Sequence, residues 1–360
     1  MYHSSIGISM IYINARFLTQ NMTGVQRFSY ELCKELVKLR SDVVFLVPDK
    51  NTIKNSEAFD IFNIKEIRLG KGHIWEQITL PLFLKTKGQG GMLINLCNTA
   101  PILYRNQIAT HHDITYIRYP KSFSKKFVFF YKVISSFFLK NSKKIITVSE
   151  FSKEEICSYY QIDKSKVTVV YNAAGIEFTS AGNKEVGYDE YLLAVSSPSY
   201  HKNFHGLINC FKQNDINIKL KIIGSAGSTF ANTYNLDTGD QRVEFLGRVS
   251  DEELIKLYSN AKAFIFPSFY EGFGIPVIEA QKCGCPVLSS NKASMREVLS
   301  SSAIFFDPTS PEEINNCIIE IINNDKVRDD LILKGYQNAD RFSWENSAIR
   351  LNKIINSFIE

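Results

Sequence analysis

No run of about 18 consecutive apolar residues occurs in this 360-residue chain, so no segment reads as a membrane-spanning helix. The start, MYHSSIGISM, lacks the basic opening and long apolar stretch of a signal peptide. Residues 1–9 precede the first regular pattern, read as a loose leader and are given no role. No strand-like run leads into Gly-x-Gly-x-x-Gly with a following acid, which argues against an NAD-dependent oxidoreductase. The seven cysteines (33, 97, 157, 210, 283, 285 and 317) lack paired framework spacing and read as reduced core thiols, favouring the cytoplasm. Cys283 and Cys285 have no second ligand pair, so no metal site is expected. A net charge of +5 is too mild to imply nucleic acid, although it suits an anionic small molecule or a phospholipid surface. Internal repeats and low-complexity tracts are also missing.

What is present is ordinary for a folded protein: 44% hydrophobic and 22% charged residues. Because single cores stop growing near ~250 residues, two domains are expected. Short β-rich runs alternate with helical patterns: MIYINAR, a helix near 24–40, DVVFLVP, then QIATHHD, a helix near 124–141, KIITVSE and VTVVYN. After a polar, Gly-containing stretch at about 173–189 the alternation resumes with YLLAVS, a helix near 203–213, KLKIIGS, VEFLG, a helix near 251–261, AFIFPS, a helix near 276–283, PVLSS and AIFFDP. Alternation of this kind means parallel βαβ units, an α/β fold. Ser250 three before Glu253 reads as a capping box, Pro276 suits a first helical turn and Gly284 suits its end. The last residues, RFSWENSAIRLNKIINSFIE, form an amphipathic helix offering Phe342, Trp344, Ile349, Leu351, Ile354, Ile355 and Phe358 for burial.

The densest chemistry lies in PSFYEGFGIPVIEAQKCGCPVLSS, where a strand enters a Gly-containing loop and then a short helix. Ligands bind at such edges. Glu271 and Glu279 stand eight apart, and the intervening Gly-Phe-Gly would let the backbone approach a ligand closely. The amides of Phe273, Gly274 and Ile275 would point out of a helix N-terminus, where phosphate is favoured. Carboxylates accept hydrogen bonds from sugar hydroxyls, so acid, amides and acid could grip sugar, phosphate and ribose in turn. The alternative is a surface loop with one solvated glutamate and one that complements the helix dipole.

The stretch E-G-F-G-I-P-V-I-E-A resembles the E-x7-E signature of retaining glycosyltransferases of the GT-B fold and family-4 type. TGVQRFSYEL, HHDITYIRYP, ITVSEFSKEEI, HKNFHGLI, LGRVSDEEL and FDPTSPEEI fall where similar family segments do, so the likeness covers nearly the whole chain. It is greatest for the branch containing O-antigen mannosyltransferases. The resemblance implies two Rossmann-like domains facing across a cleft: an acceptor-side domain over 1–175, a nucleotide-sugar-binding domain over 176–340, and a helix over 341–360 returning to the first. It implies a GDP- or UDP-linked sugar donor, GDP-mannose first, no further cofactor, and a glycan or lipid-linked acceptor as in O-antigen or capsule synthesis.

By position, the resemblance assigns the donor ribose to Glu279 and the transferred sugar to Glu271. The Phe273, Gly274 and Ile275 amides bind that sugar and the distal phosphate. Lys202 would neutralise the departing diphosphate, Gly24 would approach it from the opposite wall, and Gly247 and Val249 would line the base pocket. His112 would hydrogen-bond the donor sugar; His111 is its neighbour, and the H-D spacing favours His112. Where many relatives carry Arg, this chain has His201, and Ser196 and Ser197 stand where a basic residue or glycine is common, so phosphate binding would lean on Lys202. Without the resemblance, Lys202 reads as a solvated helix-start lysine, and a lone histidine is more often structural.

Between Tyr116 and Lys144 the chain has eight Lys/Arg residues, nine Phe/Tyr residues and no acid. Phe127, Phe130, Tyr131, Ile134 and Phe138 follow helical spacing and would face the core, leaving lysines and the other aromatics for an anionic membrane or simply for solvent. The rival functions are a sugar-nucleotide epimerase of the same fold and a non-catalytic sugar-nucleotide-binding partner.

Overall fold

The computed structural model of the chain describes residues 10–179, 190–195, 199–213, 216–224 and 240–359. The expectations for residues 1–9 and for Ser196 and Ser197 fall outside them. Two parallel sheets form the two halves. The first joins β1 (Ile11–Asn14), β2 (Val43–Val47), β3 (Ile64–Glu66), β4 (Met92–Asn95), β5 (Gln107–Thr110), β6 (Lys144–Thr147) and β7 (Val167–Val169) in the order β3-β2-β1-β4-β5-β6-β7. The second joins β8 (Tyr191–Val195), β9 (Lys219–Ile223), β10 (Val243–Gly247), β11 (Ala263–Phe266), β12 (Val287–Ser290) and β13 (Ala303–Phe306) in the order β10-β9-β8-β11-β12-β13.

Both orders reverse direction once, between β1 and β4 and between β8 and β11, and ligands bind beyond the strand carboxyl ends at such points. The strands read as continuous apolar runs because helices cover both faces: every residue of β2 and of β11 is buried. Helix starts follow the local chemistry. Ser250 Oγ accepts from the Glu253 amide, Ser149 Oγ from that of Ser152, and Ser124 Oγ from that of Phe127.

The alternation in the sequence marks neither β3 nor β4, nor the helical segment from Gly72 to Thr86 with its π-turn at Trp75–Thr79. Of the aromatic stripe expected to face the core, only Ile134 and Phe138 are buried. Phe127 and Tyr131 are half-buried because they stack on each other at 4.1 Å and Phe127 stacks on Phe123. Half-buried Phe130 lies 4.6 Å from the His73 ring.

The C-terminal helix, Trp344–Asn356, packs on the Gly24–Leu39 helix of the first half. Trp344 meets Phe28 edge-on at 5.9 Å, and Arg40 donates to Asn352 and Asn356. Leu351, Ile354 and Ile355 are buried there, whereas Ile349 and Phe358 are half-buried. One continuous apolar cluster runs from β1 through Phe28 and Trp344 to Phe273 and Val277.

Candidate active site

Lys202 ends a short 3-10 turn, Tyr200–Lys202, ahead of the Phe204–Lys212 helix. Its Nζ donates to both Glu271 oxygens, at 2.7 and 2.9 Å, so it is a partly buried, paired cation and not a solvated helix-start lysine. The Phe269 amide donates to the His201 carbonyl at 2.8 Å, which fixes the lysine turn to the glutamate loop by backbone alone. The loop is held from both halves. Ser294 Oγ donates to the Glu271 carbonyl at 3.0 Å, and Ser149 Oγ, from the first half, donates to the Gly272 carbonyl at 2.6 Å.

The two glycines here are also required by contacts within the protein. A Cβ on Gly272 would lie 2.9 Å from the Asp113 carboxylate and 3.2 Å from the His112 carbonyl of the first half. Gly274 has φ +88, and its Cβ would lie 2.9 Å from Met295 Cε. In that left-handed conformation only glycine is unstrained.

The Ile275–Lys282 helix begins at this point, with Pro276 in its first turn. The Phe273 side chain is buried edge-on against Phe342 at 5.2 Å, worth about 2 kcal/mol of transfer free energy. That anchor fixes the backbone leading into the helix N-terminus. Gly24, first residue of its own helix, faces the start of this one: its Cβ would meet Ile275 Cδ1 at 3.9 Å. The two helix starts therefore confront each other across the interdomain gap.

Glu279, one turn further along, is buried, and Tyr258 Oη is 3.5 Å from its carboxylate. Burial raises its carboxyl to about 7, against which the Arg27 cation pulls downward. Arg27 comes from the Gly24–Leu39 helix and binds Asp251 at 3.0 Å and Glu177 at 3.4 Å. Burial opposes the Arg27 cation, but Glu279, Asp251 and Glu177 outweigh it and hold it above its ordinary value. The sequence reading missed Arg27; nothing in TGVQRF distinguishes it from a solvated helix arginine.

The two histidines separate cleanly. His111 is fully buried among Tyr116, Phe138 and Tyr160, and burial lowers it to about 3. His112 follows β5 at the sheet's carboxyl edge, where burial also lowers it. Its Nε2 is 3.0 Å from the Leu96 carbonyl. A carbonyl only accepts, so Nε2 carries the proton and Nδ1 of the neutral ring is left as an acceptor. His201 faces the first half, with Nδ1 2.9 Å from Ser122 Oγ, and burial lowers it to about 2, so it adds no charge beside Lys202.

Gly247 ends β10 at φ +70 with open space where a Cβ would point, and Val249 is partly buried two residues on. Cys283 and Cys285 are buried, and neither forms a disulfide. A further cross-gap contact escaped sequence reading: Glu297 of the second half accepts from the Glu150 and Phe151 amides, at 2.8 and 2.9 Å, capping a helix of the first.

Two family models match the chain, "Glycosyltransferase Family 4" over residues 22–178 and "Glycosyl transferases group 1" over residues 176–338. The chain is 28% identical to the O-antigen chain mannosyltransferase B of Escherichia coli over 255 residues, covering 66% of this chain and 67% of that protein. It is 36% identical to the O-antigen chain mannosyltransferase RfbU of Salmonella typhimurium over 229 residues, 62% of this chain and 63% of that one. The matched region thus spans about two thirds of the length of these relatives. Among solved structures, Anabaena HepE in complex with UDP and glucose superposes with a TM-score of 0.74 at 16% identity, covering 97% of this chain and 100% of that one. Sucrose-phosphate synthase from Thermosynechococcus elongatus gives 0.72 at 16% identity over 97% and 98%. These two likenesses concern the fold, which is GT-B.

Proposed function

Because the chain belongs to the family-4-type glycosyltransferases of the GT-B fold and resembles O-antigen mannosyltransferases, we propose that it moves a hexose from a nucleotide sugar to a glycan or lipid-linked acceptor. Mannose from GDP-mannose is the first donor to test, since both curated relatives named above are mannosyltransferases. The observation that carries this reading is the convergence of Lys202, Glu271 and the start of the Ile275–Lys282 helix opposite Gly24.

In this reading the donor diphosphate lies between Lys202 and the Phe273, Gly274 and Ile275 amides, where a positive helix end and a compact cation meet. Glu279 accepts from the ribose hydroxyls, Gly247 and Val249 flank the base, and His112 Nδ1 accepts from a hydroxyl of the transferred sugar. Glu271, paired with Lys202, faces that sugar. The acceptor oxygen attacks the anomeric carbon on the face the diphosphate leaves, so configuration is retained. The C–O bond to phosphate breaks, the new glycosidic bond forms, and the acceptor proton passes to the leaving diphosphate. Lys202 offsets the charge that develops there.

A thermal-shift screen of nucleotide sugars, followed by transfer assays on lipid-linked acceptors, tests the reading. A binding donor raises the melting temperature by mass action. Donor turnover that proceeds equally without any acceptor would instead indicate an epimerase or hydrolase.

A further inference from the structure

The carboxyl edge of the first sheet carries a line of polar groups that the transfer chemistry does not use. Past the ends of β2 and β3, Pro48, Asp49, Asn51, Glu66, Arg68 and Lys71 are among the residues lining a cavity of about 540 Å³. Its wall is fixed to the Gly72–Thr86 segment, since Trp75 Nε1 donates to the Ile67 carbonyl and Thr79 Oγ1 to that of Leu69. One strand further in, Arg16 follows the end of β1 with its side chain only 12% exposed. Its Nη2 lies 3.0 Å from Glu76 Oε2 and 3.3 Å from Thr99 Oγ1, while its Nε and Nη1 donors have no acceptor among the described residues. Glu76 is fully buried and also accepts from Asn14 and Thr99. Thr99 belongs to the loop after β4 whose Leu96 carbonyl and Asn98 Oδ1 hold His112.

These contacts join the cavity to His112 along the strand order β3-β2-β1-β4-β5. Four strand spacings of about 4.8 Å make that line about 19 Å long, room for several sugar rings end to end. Its charges cancel. The charged residues lining the cavity are two acids, Asp49 and Glu66, and two bases, Arg68 and Lys71, and Arg68 pairs with Glu66 at 2.9 Å. Arg16 is likewise answered by Glu76. A phosphate would find no net positive charge here, and an apolar partner would strand the unused donors of Arg16. A neutral ligand rich in hydroxyls suits the line, because each hydroxyl both donates and accepts.

We propose that this edge binds the sugars behind the reacting end of the acceptor, so that the chain extends a glycan already several sugars long. Arg16 and Glu76 hold the end sugar beside His112, and Asp49, Asn51 and Arg68 hold a sugar further back. The inference rests on the transferase reading and specifies its acceptor.

The test uses the full chain, the nucleotide sugar selected by thermal shift, and two kinds of acceptor: the lipid-linked glycan that accumulates in cells lacking this protein, and one-, two- and three-sugar fragments cut from the growing end of that glycan. Mass spectrometry should find at least three sugars on the accumulated glycan. Acceptor KM should fall about tenfold between the one-sugar and three-sugar fragments, as one or two added hydrogen bonds would give. Asn51→Ala with Arg68→Ala, both at exposed positions, should erase that fall, while the donor still raises the melting temperature as in wild type. Arg16→Lys keeps a cation opposite Glu76 but loses the planar fork, and should raise KM for all fragments alike. An accumulated glycan of a single sugar, or a KM indifferent to fragment length, overturns the inference and leaves the transferase reading standing. A length dependence that survives the double variant also overturns it. If no nucleotide sugar shifts the melting temperature, the transferase reading fails and this groove fails with it.

Discussion

Replacing Glu279 with glutamine should make the protein more stable above pH 7 while weakening its hold on a nucleotide sugar. Folding lifts this carboxyl from 4.5 to about 7, chiefly through burial. Between those values the folded protein keeps a proton that the unfolded chain has released, so stability falls as pH rises through the window. Above it, the folded state bears the whole cost of an ionised buried carboxylate, which at ~1.36 kcal/mol per pH unit comes to about 3 kcal/mol. Glutamine has the same shape and no ionisation. Urea unfolding at about pH 5, 6, 7 and 8 should show wild type losing stability toward the alkaline end and Glu279→Gln holding level. Donor affinity should move the other way, falling about tenfold, because an amide offers one acceptor oxygen to a ribose diol where the carboxylate offers two. Arg27→Gln, which removes the cation that restrains the carboxyl, should shift the window upward. Parallel curves for wild type and Glu279→Gln, or a glutamine variant that is less stable near pH 8, would refute the reasoning.

Four further perturbations probe the gap. Glu271→Ala should cut turnover on the order of 10²-fold if the carboxylate acts mainly in the transition state; a double-mutant cycle of Lys202→Met with Glu271→Gln should give a coupling of about 2 kcal/mol by denaturation, and an additive result would dissolve the pair as an energetic unit. Gly272→Ala would drive a methyl group into Asp113 and the His112 carbonyl, so the halves should part and the donor KM rise about tenfold, since misplacing one wall of the gap by an ångström costs that much or more; normal kinetics would show that the contact gives way freely. Glu297→Gln weakens two charge-assisted bonds to the Glu150 and Phe151 amides and should lower stability by about 1 kcal/mol, with a larger radius in X-ray scattering.

Much of this protein is legible in the order of its residues because the signals are local. The strand-helix alternation needs only neighbouring side chains, as does the Ser250 cap. The loop that precedes Pro276 and holds Glu271 eight residues before Glu279 is likewise a run of adjacent letters. β3, β4 and the Gly72–Thr86 segment escape that reading: β3 spans three residues, and a π-turn breaks the helical period across Trp75–Thr79.

Sequence by itself determined the α/β class, the position of the acidic loop and the choice of Lys202, His112 and the two glutamates as candidates. Tertiary structure alone decided what each one touches. Lys202 and Glu271 are 69 residues apart yet share two hydrogen bonds, Arg27 restrains a carboxylate 252 positions away (279 − 27), and His112 differs from His111 only in which side of β5's end it meets. Those outcomes depend on how two sheets are brought edge to edge, and no local run of residues encodes that distance.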